Sequence, residues 1–239
     1  MSLPLVSIMM PAWNVEKYIS EAIKSCQNQT YENWELCVVD DGSSDSTASI
    51  IFAESLKDAR IRLREITHQG CPSARNEALS MMNGDIVARQ DADDLQDSTR
   101  LEKQVQYLLD HETIDIVSCR MLWLTEHGLS LRSAMGMDIP SYMSGKISGP
   151  VCASIVAWKY VYDAVGEFDS SQLAGSDGSW NFRAILADMA WGFIAEPLYI
   201  YRRHANQITK RLSREQRRTH DEARKRYYQT WLARKENRS

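Results

Sequence analysis

Aspartates crowd this chain at two places, Asp40-Asp41-Gly42-Ser43-Ser44-Asp45 and Asp91-Ala92-Asp93-Asp94. Three carboxylates within four residues repel one another, and a raised pKa or a cation must relieve the repulsion. A hard divalent ion does so with oxygen ligands alone, which suits Mg²⁺ or Mn²⁺. Such ions bridge one or two carboxylates to substrate phosphates, so the expected substrate carries a diphosphate. Taken singly, each aspartate also reads as a solvated turn residue, because Asp is common in turns. Neither G-x-G-x-x-G after a first strand nor G-x-x-x-x-G-K-[ST] occurs, which argues against a dinucleotide dehydrogenase and a P-loop NTPase. Pro11-Ala12-Trp13-Asn14 stands there instead, an aromatic face and an amide.

In an open α/β sheet, ligands bind at the carboxyl ends of strands, so these clusters need strands that end on them. Residues 5–10, 34–39, 61–66, 85–89 and 114–119 read as strands. Between them, apolar residues recur at helical spacing from Val15 to Cys26, and again at Leu101, Val105, Leu108 and Leu109. Ser73 is placed to cap a helix running through Met82. The alternation predicts an α/β fold of mostly parallel sheet with flanking helices. Beyond residue 120 the pattern loosens. A hairpin is expected over 121–131 around His127-Gly128, a mobile Gly/Ser/Met-rich stretch over 133–150, and a short helix over 177–187. A late strand over 193–201 and a basic C-terminal helix complete the reading.

The 239 residues are 44% apolar and 25% charged, which excludes a disordered or fibrous chain. One domain with an appendage is the simplest parse: residues 1–120, then 121–205 as a second half of the same domain, then a basic tail over 206–239. Apolar runs such as 153–158 fall far short of the roughly 20 residues that span a bilayer. The opening Met1-Ser2-Leu3-Pro4 carries no secretory signature, so a cytoplasmic location is expected. Five scattered cysteines without a C-x-x-C pair read as reduced and structural. The net charge of −4 hides a basic tail, with 13 Lys and Arg against four acidic residues from 202 onward. That tail has three readings: a solvated surface helix, a peripheral contact with anionic lipid at about 1 kcal/mol per basic residue, or a partner-subunit contact through Tyr227, Tyr228 and Trp231. The acidic body and the lack of a recognition motif argue against nucleic acid.

Four motifs in register carry a resemblance. Residues 6–14, ending Pro11-Ala12-Trp13-Asn14, precede the 34–45 run that ends Asp40-Asp41-Gly42-Ser43-Ser44-Asp45. Ala74-Arg75-Asn76 follows, then Ala88-Arg89-Gln90-Asp91-Ala92-Asp93-Asp94 with Arg100-Leu101. Together they resemble a family 2 inverting glycosyltransferase of the GT-A fold, closely over residues 5–120. A looser likeness continues through Gly166-Glu167-Phe168-Asp169, Asp177 with Arg183, Glu196-Pro197-Leu198 and Tyr201-Arg202-x-His204.

The resemblance implies transfer of a sugar from a nucleotide-diphosphate donor, with uridine favoured, to an acceptor hydroxyl with inversion. It makes residues 1–120 the nucleotide-sugar half and 121–205 the acceptor half, and it suggests a saccharide or lipid-linked saccharide acceptor in surface polysaccharide assembly. By that analogy Pro11 and Trp13 pack on base and ribose, Asp41 accepts the pyrimidine N3–H and Arg75 steadies the nucleotide. Asp91 touches ribose or metal, Asp93 ligates Mn²⁺ or Mg²⁺, and His204 joins the metal and diphosphate. Asp177 occupies the catalytic-base position, where the family's usual Glu-Asp is Ser176-Asp177. Asp177 also reads as a helix N-cap, His204 as a structural histidine, and Trp158, Trp180 and Trp191 as core rather than acceptor groove. Asp40 and Asp94 are expected to shape loops. The glycines around Asp177 keep one alternative open, a nucleotide-sugar binding module that has lost turnover. A sugar-nucleotide pyrophosphorylase would need a glycine-rich, arginine-containing loop where Pro11-Ala12-Trp13-Asn14 stands.

Overall fold

The computed structural model describes residues 3–131, 138–146, 149–172, 175–207, 210 and 213–237. Strands β1 (Val6–Ala12), β2 (Trp34–Asp40), β3 (Ile61–Glu65) and β4 (Ile86–Arg89) alternate with helices α1 (Ile19–Gln27), α2 (Thr47–Ser55) and α3 (Cys71–Met81). A two-residue strand β5 (Leu95–Gln96) leads to α4 (Arg100–Asp110), β6 (Ile116–Thr125) and β7 (Gly128–Leu131). The rest is α5 (Ile139–Ser144), β8 (Val156–Trp158), α6 (Lys159–Val165), α7 (Ser176–Leu186), β9 (Trp191–Arg202) and α8 (Arg214–Glu236). All nine strands join one sheet in the order β3-β2-β1-β4-β8-β6-β9-β5, with β7 hairpinned onto β6.

Strands β1 to β4 pair in parallel. From β8 onward the sheet is mixed: β8 runs antiparallel to both β4 and β6, β9 lies parallel to β6, and β5 is antiparallel to β9. Side chains alternate across the sheet, so the all-buried β1 and β2 feed two cores. Ile8, Met10, Leu36 and Val38 face α1, α2 and α4, where Ile19, Ile23, Ile51 and Leu101 meet them. Met9, Cys37, Val39 and Val87 face the opposite layer, packing with Ala74 and Ala78 of α3, Val161 and Tyr162 of α6, and Trp180 of α7.

Several expectations are corrected. Helix α3 begins at Cys71 with Gly70 as cap and Pro72 in its first turn, so Ser73 lies inside the helix; proline's fixed φ suits a first turn, and Gly70 takes the positive φ of 95° that precedes it. Within the stretch expected to be mobile, residues 132–137 and 147–148 lie outside the described residues. Residues 139–144 form α5, whose Tyr142 and Met143 are buried against Phe182 and Ile185 of α7. Strand β8 and helix α6 were not foreseen. Trp180 is core, and Trp158 and Trp191 pack partly buried against the same cluster.

The basic tail is fastened to the body. Tyr227 packs tilted against Phe182 with ring centroids 5.5 Å apart, Tyr228 and Trp231 border the same cluster, and Ala223 is buried. Part of that apolar face is thus covered within the chain, with Tyr227, Tyr228 and Trp231 half-buried. The outward face interleaves charge, with Arg218 pairing Glu222 at 3.5 Å and Arg224 pairing Asp221 at 3.4 Å. Among the described residues no helix is long and apolar enough to cross a membrane.

At the middle of the fold lies the guanidinium of Arg100, fully buried and using all five N–H bonds. It donates to Gln104 Oε1 (2.8 Å), Gln90 Oε1 (3.1 Å), Gln96 Oε1 (3.0 Å), Arg89 O (2.9 Å) and Ala153 O (3.3 Å). Replacing it strands five buried acceptors, each costing about 1–3 kcal/mol. Arg100→Met is expected to lower unfolding stability by about 3 kcal/mol or more, read from the urea midpoint at unchanged m. Arg100→Lys should recover little, because three donors on a flexible stem cannot replace a five-donor fork.

Candidate active site

The carboxyl ends of β1, β2 and β4 converge, and each carries one of the sequence clusters. After β1, Pro11 and Ala12 finish the strand and Trp13-Asn14 turn outward, with Asn14 at a φ of 51° that asparagine tolerates. Asn14 Oδ1 accepts the Ser44 N–H at 2.8 Å, Ser43 Oγ accepts the Asn14 N–H at 2.9 Å, and Thr47 Oγ1 accepts the Val15 N–H at 2.8 Å. These bonds join the β1 loop to the β2 loop and fix where Trp13 stands.

Within the first acidic cluster the two neighbours divide the work. Asp40 folds its carboxylate onto Ser43, accepting the backbone N–H at 2.9 Å and the hydroxyl at 2.6 Å, so it shapes the turn. Asp41 reaches across to the start of α3, where Oδ1 accepts the Gln69 N–H and Oδ2 the Gly70 N–H, each at 2.8 Å. Gly42 makes that approach possible. Its φ is +66°, and a Cβ there would stand 2.8 Å from His68 N. Only glycine is at ease in both respects.

In the second cluster Asp94 is fully buried. It accepts the Tyr199 hydroxyl at 2.9 Å and the Arg202 N–H at 2.8 Å, and burial pushes its carboxyl well above the usual carboxylate range. It builds the turn, as expected. Asp91 faces Arg75 Nη2 at 3.3 Å; burial, with Asp93 and Asp177 nearby, raises its pKa against the pull of that guanidinium. Asp93 turns the other way, its Oδ2 lying 2.9 Å from His204 Nε2. The imidazole is set by Tyr18, 4.4 Å from it ring to ring, and by β9, whose Arg202 Nε donates to Asp93 O at 2.9 Å. Among the described residues His204 Nδ1 is buried without a hydrogen-bond partner.

Asp177 lies in the first turn of α7, capped by Gly175 at a φ of 77°. Asp177 is therefore not the cap. Its Oδ1 accepts the Gly178 N–H at 2.8 Å; burial would raise its pKa, but Arg75, that N–H and Arg89 outweigh it and hold the carboxylate below its usual range. Arg75, Asp91 and Asp177 thus form one electrostatic cluster. Asn76 braces it from beneath, its side chain donating to Phe168 O at 2.9 Å and accepting the Phe168 N–H at 2.8 Å.

The structure brings the charged site candidates to one edge of the sheet in two subgroups, Asp41, Arg75, Asp91 and Asp177 around the start of α3, and Asp93 with His204 under β9, with Trp13 stacked on His68 beside Asp41 and Pro11 at the end of β1. Oxygen from Asp93 and nitrogen from His204 suit a hard-to-borderline divalent ion. Among the described residues no three His, Cys, Asp or Glu groups converge to cage one, so further ligands would have to come from a bound phosphate or water.

Other groups came into view only here. Cys71 and Cys152 were read as structural. They are half-buried beside this cluster, where burial pushes the Cys71 thiol up to about 11 against the pull of Arg75 and keeps it un-ionised. Arg89 is boxed by Trp180 at 4.3 Å and Phe168 at 5.0 Å. Tyr199 and His68 contact Asp94 and Asp41 from distant elements and left no sequence signal.

The profile of glycosyl transferase family 2 matches residues 7–134, more than half of the chain. The chain belongs to that family. It is 38% identical over 128 residues to the putative glycosyltransferase EpsE of Bacillus subtilis, covering 53% of this chain and 46% of that one. To the Escherichia coli enzyme WfgD, named as a UDP-Glc:alpha-D-GlcNAc-diphosphoundecaprenol beta-1,3-glucosyltransferase, it is 43% identical over 106 residues, 44% of this chain and 41% of that one. The chain thus spans less than half the length of these curated relatives. Residues 1–349 of S. aureus TarS, solved with UDP-GlcNAc, superpose with a TM-score of 0.70 at 18% identity, covering 87% of this chain and 61% of that one. The fold of this family 2 member is accordingly GT-A, with its mixed sheet and flanking helices.

Gly42→Ala tests the coupling between the two loops. It is expected to cost about 1–3 kcal/mol of stability, from the strained φ and the contact with His68 N, and to displace the two N–H donors from Asp41. Urea unfolding with amide NMR of Gln69 and Gly70 measures both.

Proposed function

We propose that this family 2 member transfers a sugar, with inversion, from a uridine-diphosphate sugar to the hydroxyl of a saccharide or lipid-linked saccharide in surface polysaccharide assembly. The observation that carries the reading is the cluster of Arg75, Asp91 and Asp177, in which a carboxylate kept ionised by Arg75 stands at the same strand edge as the Asp93–His204 pair. A general base must be deprotonated at the working pH and free to take a proton. Asp177 meets the first requirement through its lowered pKa, and its partners are the Gly178 N–H on Oδ1 and the Cys152 thiol, which an incoming hydroxyl would displace.

In the proposed reaction Asp177 takes the acceptor proton as the hydroxyl oxygen forms its bond to the anomeric carbon. The bond from that carbon to the diphosphate breaks on the opposite face, which inverts the configuration. Trp13 and Pro11 pack the base and ribose, Asp41 accepts the base N–H, and Arg75 balances the carboxylates around the nucleotide. Asp93 and His204 would hold a Mn²⁺ or Mg²⁺, with Asp91 beside them; such an ion supplies Lewis-acid stabilisation of the departing diphosphate. A groove of about 500 Å³ lined by Trp123, His127, Arg203 and His204 adjoins this pair and offers an aromatic and cationic wall to the acceptor side. The basic tail would hold the chain on anionic lipid, which salt-sensitive binding of the full chain to anionic vesicles would reveal.

The first test needs no acceptor. UDP at about 100 times its Kd adds roughly 2.7 kcal/mol, a rise of roughly 5–10 °C in Tm for a chain of this size. The expected result is a rise with UDP plus Mn²⁺ that EDTA and Asp93→Ala each abolish; a rise indifferent to both would remove the metal from the reading.

For the base, Asp177→Asn is expected to keep UDP affinity while lowering transfer about 10²- to 10⁴-fold. Because its pKa is depressed, Asp177 should stay ionised through the ordinary carboxylate range, so replacing it by Asn should not remove an acid limb of the rate profile that lies above that range. Binding of UDP without any transfer by the parent would favour the lapsed binding module.

A further inference from the structure

The two contacts assigned above to the nucleobase are already made in this structure by one side chain. The His68 imidazole stacks on Trp13 with ring centroids 4.5 Å apart and planes 17° from parallel. Its Nδ1 lies 2.9 Å from Asp41 Oδ2 and 3.0 Å from Asp41 O. A flat heterocycle with a ring N–H toward a buried carboxylate, one face on an indole, is what the uracil of the proposed donor would also present. Trp13 and His68 are both substantially exposed, 39% for Trp13 and 50% for the His68 side chain, whereas the Asp41 side chain beneath them is 2% exposed. The imidazole is thus part of what covers Asp41.

The backbone holds the ring there. Gly42 packs against His68 N and Cβ with no room for a side chain of its own, and the next two residues, Gln69 and Gly70, donate their N–H groups to Asp41. Asp41 Oδ1 thus accepts from Gln69 and Oδ2 from Gly70, while His68 Nδ1 bonds the Asp41 carbonyl and lies within 2.9 Å of Oδ2. The imidazole fills the space between the Trp13 face and Oδ2, so a base cannot stack there and reach that oxygen while the ring stays.

We infer that His68 is a stand-in for the nucleobase: its ring competes with the donor's base for the Trp13 face and the Asp41 carboxylate, and the nucleotide binds by displacing it. The inference rests on the donor reading given above and sharpens it. A slot satisfied by a ring N–H selects bases that present one, such as uracil or thymine through N3–H. Cytosine would set a ring lone pair against the carboxylate and leave both acceptors unpaired, a mismatch that polar sites reject strongly.

A ligand whose site is open only part of the time binds more weakly by that fraction. If the imidazole holds the slot about nine-tenths of the time, removing it should tighten UDP about tenfold. The experiment is isothermal titration of the full chain with UDP and with CDP, using the parent, His68→Ala and His68→Phe. Tighter UDP binding by His68→Ala, a smaller gain for His68→Phe, which keeps a ring on Trp13 but cannot donate, and poor CDP binding throughout is the expected pattern. Should the parent bind UDP while His68→Ala binds it equally or more weakly, the ring is a wall of the site or a bystander, and the competition is overturned while the donor reading stands. Should neither parent nor variant bind UDP or dTDP, the donor reading fails and takes the competition with it.

Discussion

A single buried guanidinium ties the candidate site to the rest of this molecule. Arg100 has no carboxylate partner; its charge is spread over five hydrogen bonds to neutral oxygens and over the face of Tyr199, 5.1 Å away. Isolated buried charge is costly, and it persists where every donor is satisfied. The arrangement reaches the site through Gln90. That side chain accepts from Arg100 and donates from Nε2 to the carbonyls of Asp91 and Asp94, both at 3.1 Å. The acidic turn is therefore hung from the core by an amide whose other end is held by Arg100. Gln104 extends the same net to Val117 and Ser154, which joins the parallel and mixed parts of the sheet.

Burial and partners then sort six aspartates of one residue type into different tasks. Asp40 and Asp94 spend their oxygens on local hydroxyls and backbone and build turns. Asp41 is equally buried but points at another element, the loop before α3. Asp91, Asp93 and Asp177 are only partly buried and face Arg75 or His204, Asp177 also accepting the N–H of its own neighbour Gly178. Like charges at this density would otherwise drive protonation. The two cationic or cationisable partners come from α3 and from the end of β9, far apart in the chain.

The C-terminal helix illustrates the same division between composition and placement. Its basic character suggested a free electrostatic appendage, yet its aromatic face closes a small core made by α5 and α7. Since α7 carries Asp177, the helix buttresses the element that positions the candidate base, and its outward face balances arginines against acids.

The parallel first half of the sheet was legible in the sequence, because strands buried on both faces read as continuous apolar runs and helices α1 and α4 carry an apolar stripe. The sequence also located Asp41, Arg75, Asp91, Asp93, Asp177 and His204, whose motifs sit at strand or helix ends where local spacing is informative. Tertiary structure alone decided the rest. The short strands β5 and β8, helix α5 and the fastening of α8 owe their form to partners 40 or more residues away, so no local period announces them. Sequence could not say that Asp91 would meet Arg75 while Asp93 met His204, that Gly175 and not Asp177 would cap α7, or that His68 would lie on Trp13. Those outcomes depend on which side chains meet once the sheet has closed, and hydrogen bonds and ring stacks act only over a few ångströms.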